Sequence, residues 1–68
     1  MTVHVNGEPV ELTGEMSVTQ LLEDRKVKMP DQVVVELNGE ILDREAFEST
    51  TVKEDDRFEF LYFMGGGR

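Results

Sequence analysis

The sequence contains no cysteine. That one absence removes disulfide cross-links, thiolate catalysis and any Cys-based zinc site. Histidine is almost as scarce: His4 is the only one, which leaves no means of building a multi-histidine metal cage or a histidine-centred triad. Basic residues are few, seven Lys and Arg against fifteen Asp and Glu, for a net charge of −8. A chain this acidic is repelled by nucleic-acid phosphates and by anionic lipid, so neither nucleic acid nor a membrane is expected as a partner. Long apolar runs are missing too. The longest, Phe60 to Met64, has five residues against the ~20 that span a bilayer, and Met1 to Val5 runs into a turn rather than a signal-type apolar stretch. The expected compartment is the cytoplasm.

Length narrows the class further. A chain of 68 residues makes one small domain, and at that size folding buries roughly 60% of the unfolded surface. Little volume is left for a substrate pocket with its own catalytic shell. The expectation is therefore a carrier, binding or regulatory module with no cofactor and no metal, rather than an autonomous enzyme. The hydrophobic fraction of 38% is enough for a packed core, and clean apolar runs exclude wholesale disorder.

What is present reads as alternating strands and one helix. Val3 and Val5 alternate with Thr2 and His4, Asn6-Gly7 follows, and Val10 and Leu12 alternate with Glu11. Asn-Gly between alternating runs signals a type I′ hairpin, because both central residues need positive φ. Pro9 lacks an amide N–H and suits an edge strand. His4, opposite Val3 and Val5, is expected to be solvated. Ser17-Val18-Thr19-Gln20 fits a capping box, and Val18, Leu21 and Leu22 form one apolar helical stripe. Arg25, Lys26 and Lys28, the one basic cluster, would offset the negative end of the helix dipole. Pro30 stops any continuation and biases Lys28-Met29 toward extended geometry. Val33 to Leu37, Asn38-Gly39 and Glu40 to Leu42 read as a second hairpin. Asp43 is placed to cap a helical turn through Arg44 to Phe47, with Phe47 plugging the core. Thr50 to Val52 is a short extended piece.

The last strand differs from the others. Phe58, Phe60 and Tyr62 point one way, while Leu61 and Phe63 point the other way with Glu59. A strand apolar on both faces is central in its sheet. One helix covers only one of those faces well, so Leu61 and Phe63 are expected at a partner surface. The chain then closes as Gly65-Gly66-Gly67-Arg68, an expected flexible tail (65–68) on a domain of residues 1–64, because glycine loses the most backbone entropy on ordering.

Strand, turn, strand, helix, strand, turn, strand, helical turn, strand is the order of an α+β β-grasp (ubiquitin-like) fold, with a mixed sheet of about four to five strands and one main helix on one face. A right-handed crossover would set the last strand parallel to the first. The chain resembles the ThiS family of sulfur-carrier proteins of thiamin biosynthesis along essentially its whole length. The resemblance is carried by Val3-His4-Val5-Asn6-Gly7, Ser17-Val18-Thr19-Gln20-Leu21-Leu22 and Val35-Glu36-Leu37-Asn38-Gly39-Glu40-Ile41-Leu42. Arg44-Glu45, Phe47, Asp56 and Phe63-Met64-Gly65-Gly66-Gly67 complete it. It implies that an E1-like (ThiF-like) adenylyltransferase adenylates a terminal glycine carboxylate, that sulfur transfer gives a thiocarboxylate, and that a ThiG-like thiazole synthase consumes it. Gly67 is then the reacting residue, Gly65 to Gly67 the threading tail, and Leu61, Phe63 and Met64 the docking residues. Family members end in glycine, so Arg68 would have to be trimmed by a protease. A molybdopterin-synthase-type sulfur carrier and a ubiquitin-like protein modifier share the fold and tail; a pure interaction domain is a further class.

Overall fold

A computed structural model describes residues 1–62. The strands are β1 (Thr2–Val5), β2 (Glu8–Glu11), β3 (Val34–Leu37), β4 (Glu40–Leu42) and β5 (Arg57–Leu61), with one helix, α1 (Val18–Asp24), and a 3₁₀ turn at Arg44–Ala46. They form one five-stranded mixed sheet in the order β2-β1-β5-β3-β4. Strand β5 lies in the middle, parallel to β1 through His4–Arg57 and Val5–Phe58 and antiparallel to β3 from Val34–Leu61 to Leu37–Phe58. This is the expected β-grasp arrangement, and Pro9 sits on the edge strand β2 as its missing N–H requires.

Alternation along each strand produces the core. Val3, Val10, Val35, Phe58 and Phe60 face the same side of the sheet and are buried, and Val18, Leu21 and Leu22 of α1 close over them. Phe47 and Val52 fill the space below the helix. Burying a large apolar side chain contributes about 1.5–3 kcal/mol, and among the described residues no polar or charged residue is buried to offset it. The rings of Phe58 and Phe60 lie 6.3 Å apart at a tilt of 50°.

The capping box forms as its spacing predicts: Ser17 Oγ accepts from Gln20 N–H at 3.1 Å, and Gln20 Oε1 accepts from Ser17 N–H at 2.9 Å. Two local expectations, for Asp43 and Met29, differ, and the helix ending takes a particular form. Asp43 stands at the start of the 3₁₀ turn, but its carboxylate makes no capping bond. Its main-chain carbonyl closes the turn by accepting from Ala46 N–H, which leaves the side chain no task. The helix ends at Asp24 with Arg25 as its C-cap and Lys26 and Lys28 just beyond, so the basic cluster stands at the helix C-terminus as expected. There, Lys26 adopts a positive φ of 55°, its N–H bonds the Glu23 carbonyl and Val27 N–H bonds the Leu22 carbonyl, which is a Schellman ending with lysine where glycine is usual. Finally, Met29 before Pro30 is not extended; it has φ of 53°, in a turn closed by Gln32 N–H on its carbonyl.

Candidate functional site at the end of the last strand

The interest of the fold lies where β5 runs out. On its β1 side, His4 N–H donates to the Asp56 carbonyl and Asn6 N–H to the Phe58 carbonyl, each at 2.9 Å. The next ladder acceptor should be the Asn6 carbonyl, but the Asn6-Gly7 turn, with φ of 51° and 85°, carries the main chain away. The Asn6 side chain takes over: its Oδ1 accepts from Phe60 N–H at 2.8 Å. Beyond that point β5 pairs only with β3, Leu61 standing opposite Val34. Leu61 and Tyr62 therefore leave the sheet held from one side.

Their faces follow the strand period. Phe58 and Phe60 are buried, whereas Tyr62, on the same helix-facing side, is 41% exposed because α1 has already ended. Leu61 is half-buried on the open face, as expected for a side chain the helix cannot reach. On that face it neighbours half-buried Val34, and Ile41, 68% exposed, lies one strand further out. Glu36 and Glu59 lie directly opposite each other beside this apolar strip, a like-charge pairing that weakens a ladder by roughly 0.2–1 kcal/mol. His4, half-buried on β1, joins no cluster of potential metal ligands among the described residues.

Two grooves flank the helix. One, of about 630 Å³, is lined by α1 and the 3₁₀ turn and contains no residue of β5. Of its two cations, Lys26 and Arg44, the second is already committed: Arg44 donates to the carbonyls of Pro30 and Val33 and sits 5.4 Å over the Phe47 ring. That groove is a seam holding the chain together. The other, of about 560 Å³, runs between the first hairpin and the segment after α1, with Phe60 and Tyr62 in its wall. One ion pair occurs among the described residues, between the Met1 amine and Glu11 at 3.3 Å. Glu11 also accepts from the Thr2 hydroxyl, and that bond, followed by the bond and charge of the amine, holds its carboxyl below the usual carboxylate range.

Of the residues expected to act, the structure places Leu61. Phe63, Met64, Gly65, Gly66, Gly67 and Arg68 lie outside the described residues. Sequence reasoning missed Tyr62 as a groove residue and the second duty of Asn6; the Asn-Gly motif signalled the turn but not the strand its side chain would reach. No helix of the described residues is long and apolar enough to cross a membrane.

With this geometry in hand, comparison with known proteins is informative. The ThiS family model matches residues 3–67. The crystal structure of the thiamine biosynthesis protein (ThiS) of Geobacter metallireducens is 55% identical, with a TM-score of 0.90 over 98% of this chain and 100% of that one. An NMR solution structure of a thiamine biosynthesis protein from the same organism gives 0.79 at 54% identity, over 100% of this chain and 90% of the other. A thiazole synthase of Magnetococcus marinus is 32% identical over 68 residues, all of this chain but 21% of that protein, so the chain spans about a fifth of this larger relative.

Proposed function

Because the chain belongs to the ThiS family, we propose that it is a sulfur carrier for thiamin biosynthesis that acts through the carboxylate of Gly67. The observation that carries this reading is the extent of the family match, which runs through the glycines to residue 67 and leaves Arg68 outside. An α-carboxylate has a pKa of about 3.5 and is an anion at neutral pH. One of its oxygens attacks the α-phosphorus of ATP, pyrophosphate leaves, and an acyl-adenylate forms on an E1-like enzyme. Hydrosulfide then attacks the acyl carbon, AMP leaves with the bonding pair, the sulfur's proton passes to solvent, and the thiocarboxylate remains. Thiazole synthase is the acceptor; that a larger protein of this name contains a stretch similar to the whole chain supports the assignment.

The carrier's side chains need not move protons in this scheme, which suits a protein without cysteine and with one histidine. Their work is to present the tail. Glycines lack Cβ and let an enzyme backbone close around them, while Leu61, Phe63 and Met64 supply apolar contact immediately before them. Arg68 blocks the chemistry, since with it in place Gly67 offers an amide carbonyl instead of a carboxylate, so a protease removes it. The reaction belongs in the cytoplasm, where ATP is supplied.

Intact-mass spectrometry tests the proposal with chains ending at Gly67 and at Arg68, each incubated with the adenylating enzyme, ATP and a sulfur donor. The Gly67-ended chain should gain the mass that exchanges one oxygen for sulfur, and the Arg68-ended chain should not. Equal conversion of both, or of neither, overturns it.

A further inference from the structure

The basic cluster at the helix C-terminus has a second setting. Arg25 is the C-cap of α1, and Lys26 and Lys28 follow it; all three are exposed, and none makes a side-chain hydrogen bond or ion pair among the described residues. Together they line the 560 Å³ groove with apolar Val5, Val10, Val27 and Phe60, with Asn6 and Tyr62, and with one carboxylate, Glu8, against their three cations. The cap explains the arrangement: the positive φ at Lys26 turns the chain so that Val27 packs inward against the core while its charged neighbours remain outside.

Three of the seven basic residues of a chain with net charge −8 thus gather, against the single carboxylate of Glu8, at one groove of mixed polar and apolar lining. That groove adjoins Tyr62, the last described residue before the glycines. We infer that it is a docking surface for an acidic segment of the enzyme that takes up the tail, a segment with an apolar anchor flanked by Asp or Glu. This rests on the carrier reading above. Charge complementarity selects the occupant. The bulk of the carrier surface is negative and matches basic protein surfaces, so a basic rim calls for a local acidic complement, and opposed patches of this kind fix orientation and register. Continuity with the tail selects the partner, because an enzyme holding the tail must stand beside Tyr62. The apolar lining adds the contact that charge alone does not give, and leaves a binding face on the helix side distinct from the open-face residues Leu61, Val34 and Ile41.

The test measures affinity of the full chain for the adenylating enzyme at low and high salt. Lys26→Glu/Lys28→Glu should weaken binding about tenfold at low salt, the scale of steering and register charges, with the deficit shrinking as salt rises. Lys26→Gln/Lys28→Gln should fall between it and wild type, guarding against any fault peculiar to the reversed charges. Lys53→Glu, a single reversal with half that charge change at the opposite end of β5, should alter binding less than about twofold, and thermal denaturation should be unchanged for all three. Effects equal per reversed charge at Lys26/Lys28 and at Lys53 overturn the inference, as does tighter binding by the reversed pair. In a second arm, a blocked peptide with one Phe between Glu pairs is titrated while the amides of Val10, Val27 and Phe60 are followed by NMR. Saturable, salt-sensitive shifts at these amides support the groove; shifts elsewhere or none overturn it. Altered groove amides in a chain truncated after Tyr62 would assign the groove to the chain's own tail, and concentration-dependent shifts would assign it to a second copy; both overturn the proposal. If wild type is never converted to thiocarboxylate, the carrier reading fails while the peptide arm still decides the groove.

Discussion

The two hairpins are built on the same dipeptide and do different jobs. Asn6-Gly7 and Asn38-Gly39 have nearly identical backbones, with asparagine φ of 51° and 52° and glycine φ of 85° and 88°. In each, the asparagine Oδ1 replaces the main-chain carbonyl that the turn swings away, and in each it captures an N–H of β5. Asn38 does so at the beginning of the strand, accepting from Arg57 N–H at 3.0 Å and donating through Nδ2 to Asp56 at 3.2 Å, all in exposed surroundings. Asn6 does so near the other end, at the part-buried Phe60 N–H. One motif thus pins the central strand at both ends. Water can replace the first pin more easily than the second.

Removing the pins should separate them. Asn6→Ala strands a part-buried donor and puts alanine at positive φ, a loss of about 3 kcal/mol. Asn38→Ala meets the same backbone strain but exposes its donor to water, for about 1–2 kcal/mol. Urea denaturation measures both, and Asn6→Gly and Asn38→Gly, which keep the turn, should preserve the ranking. Equal losses would mean that turn strain alone is being read. Next in size, Gly7→Ala and Gly39→Ala should each cost about 1 kcal/mol, and the two should be alike, since neither added Cβ would meet an atom within 4 Å. A marked difference between them would show that the hairpins are not equivalent in backbone.

The smallest effect concerns the open ends of the hairpins. The first is clamped by Glu11 on the Thr2 hydroxyl at 2.6 Å and on the Met1 amine, whereas Arg44 ties the start of β3 by donating to the Val33 carbonyl at 2.8 Å. The pKa of Glu11 is lowered in the fold, so its contribution is complete above the unfolded carboxylate pKa and is lost as pH falls through the lower folded value. Carbonyl acceptors do not titrate there. On acidification, the Thr2 γ-methyl resonance, beside the hydroxyl that Glu11 accepts from, and the Leu12 amide resonance should move with the Glu11 titration while the amides of Val33 and Leu42 do not follow it, and Glu11→Gln should abolish the dependence. The same curve at both hairpins would reject the contrast.

Local chemistry explains which parts of this architecture were legible in the sequence. The Asn-Gly turns, the Ser17–Gln20 box and the central place of Phe58 and Phe60 each depend on short-range spacing, and all stand as expected. The helix ending did not announce itself because Lys26 occupies the left-handed position normally marked by glycine. Asp43 suggested a cap that one 3₁₀ turn has no use for. At the tail end of β5, Leu61 could be placed on a face from alternation alone. The groove beside Tyr62 could not be read, since it joins the first hairpin to residues after the helix, contacts that spacing along the chain does not encode.

The central position of β5 also bears on when the molecule becomes competent. The strand every other part of the sheet depends on is the last to be made, and its partners β1 and β3 wait for it across long sequence separations. Such non-local pairing delays the folding transition until late in synthesis. The β1–β2 and β3–β4 hairpins can form early, yet neither buries a sheet face until β5 enters between them. A nascent or truncated chain thus lacks both the central strand and the core that positions it. Quality control is therefore intrinsic to the topology: whatever follows Tyr62 is joined to a finished sheet only once β5 has taken its place between β1 and β3.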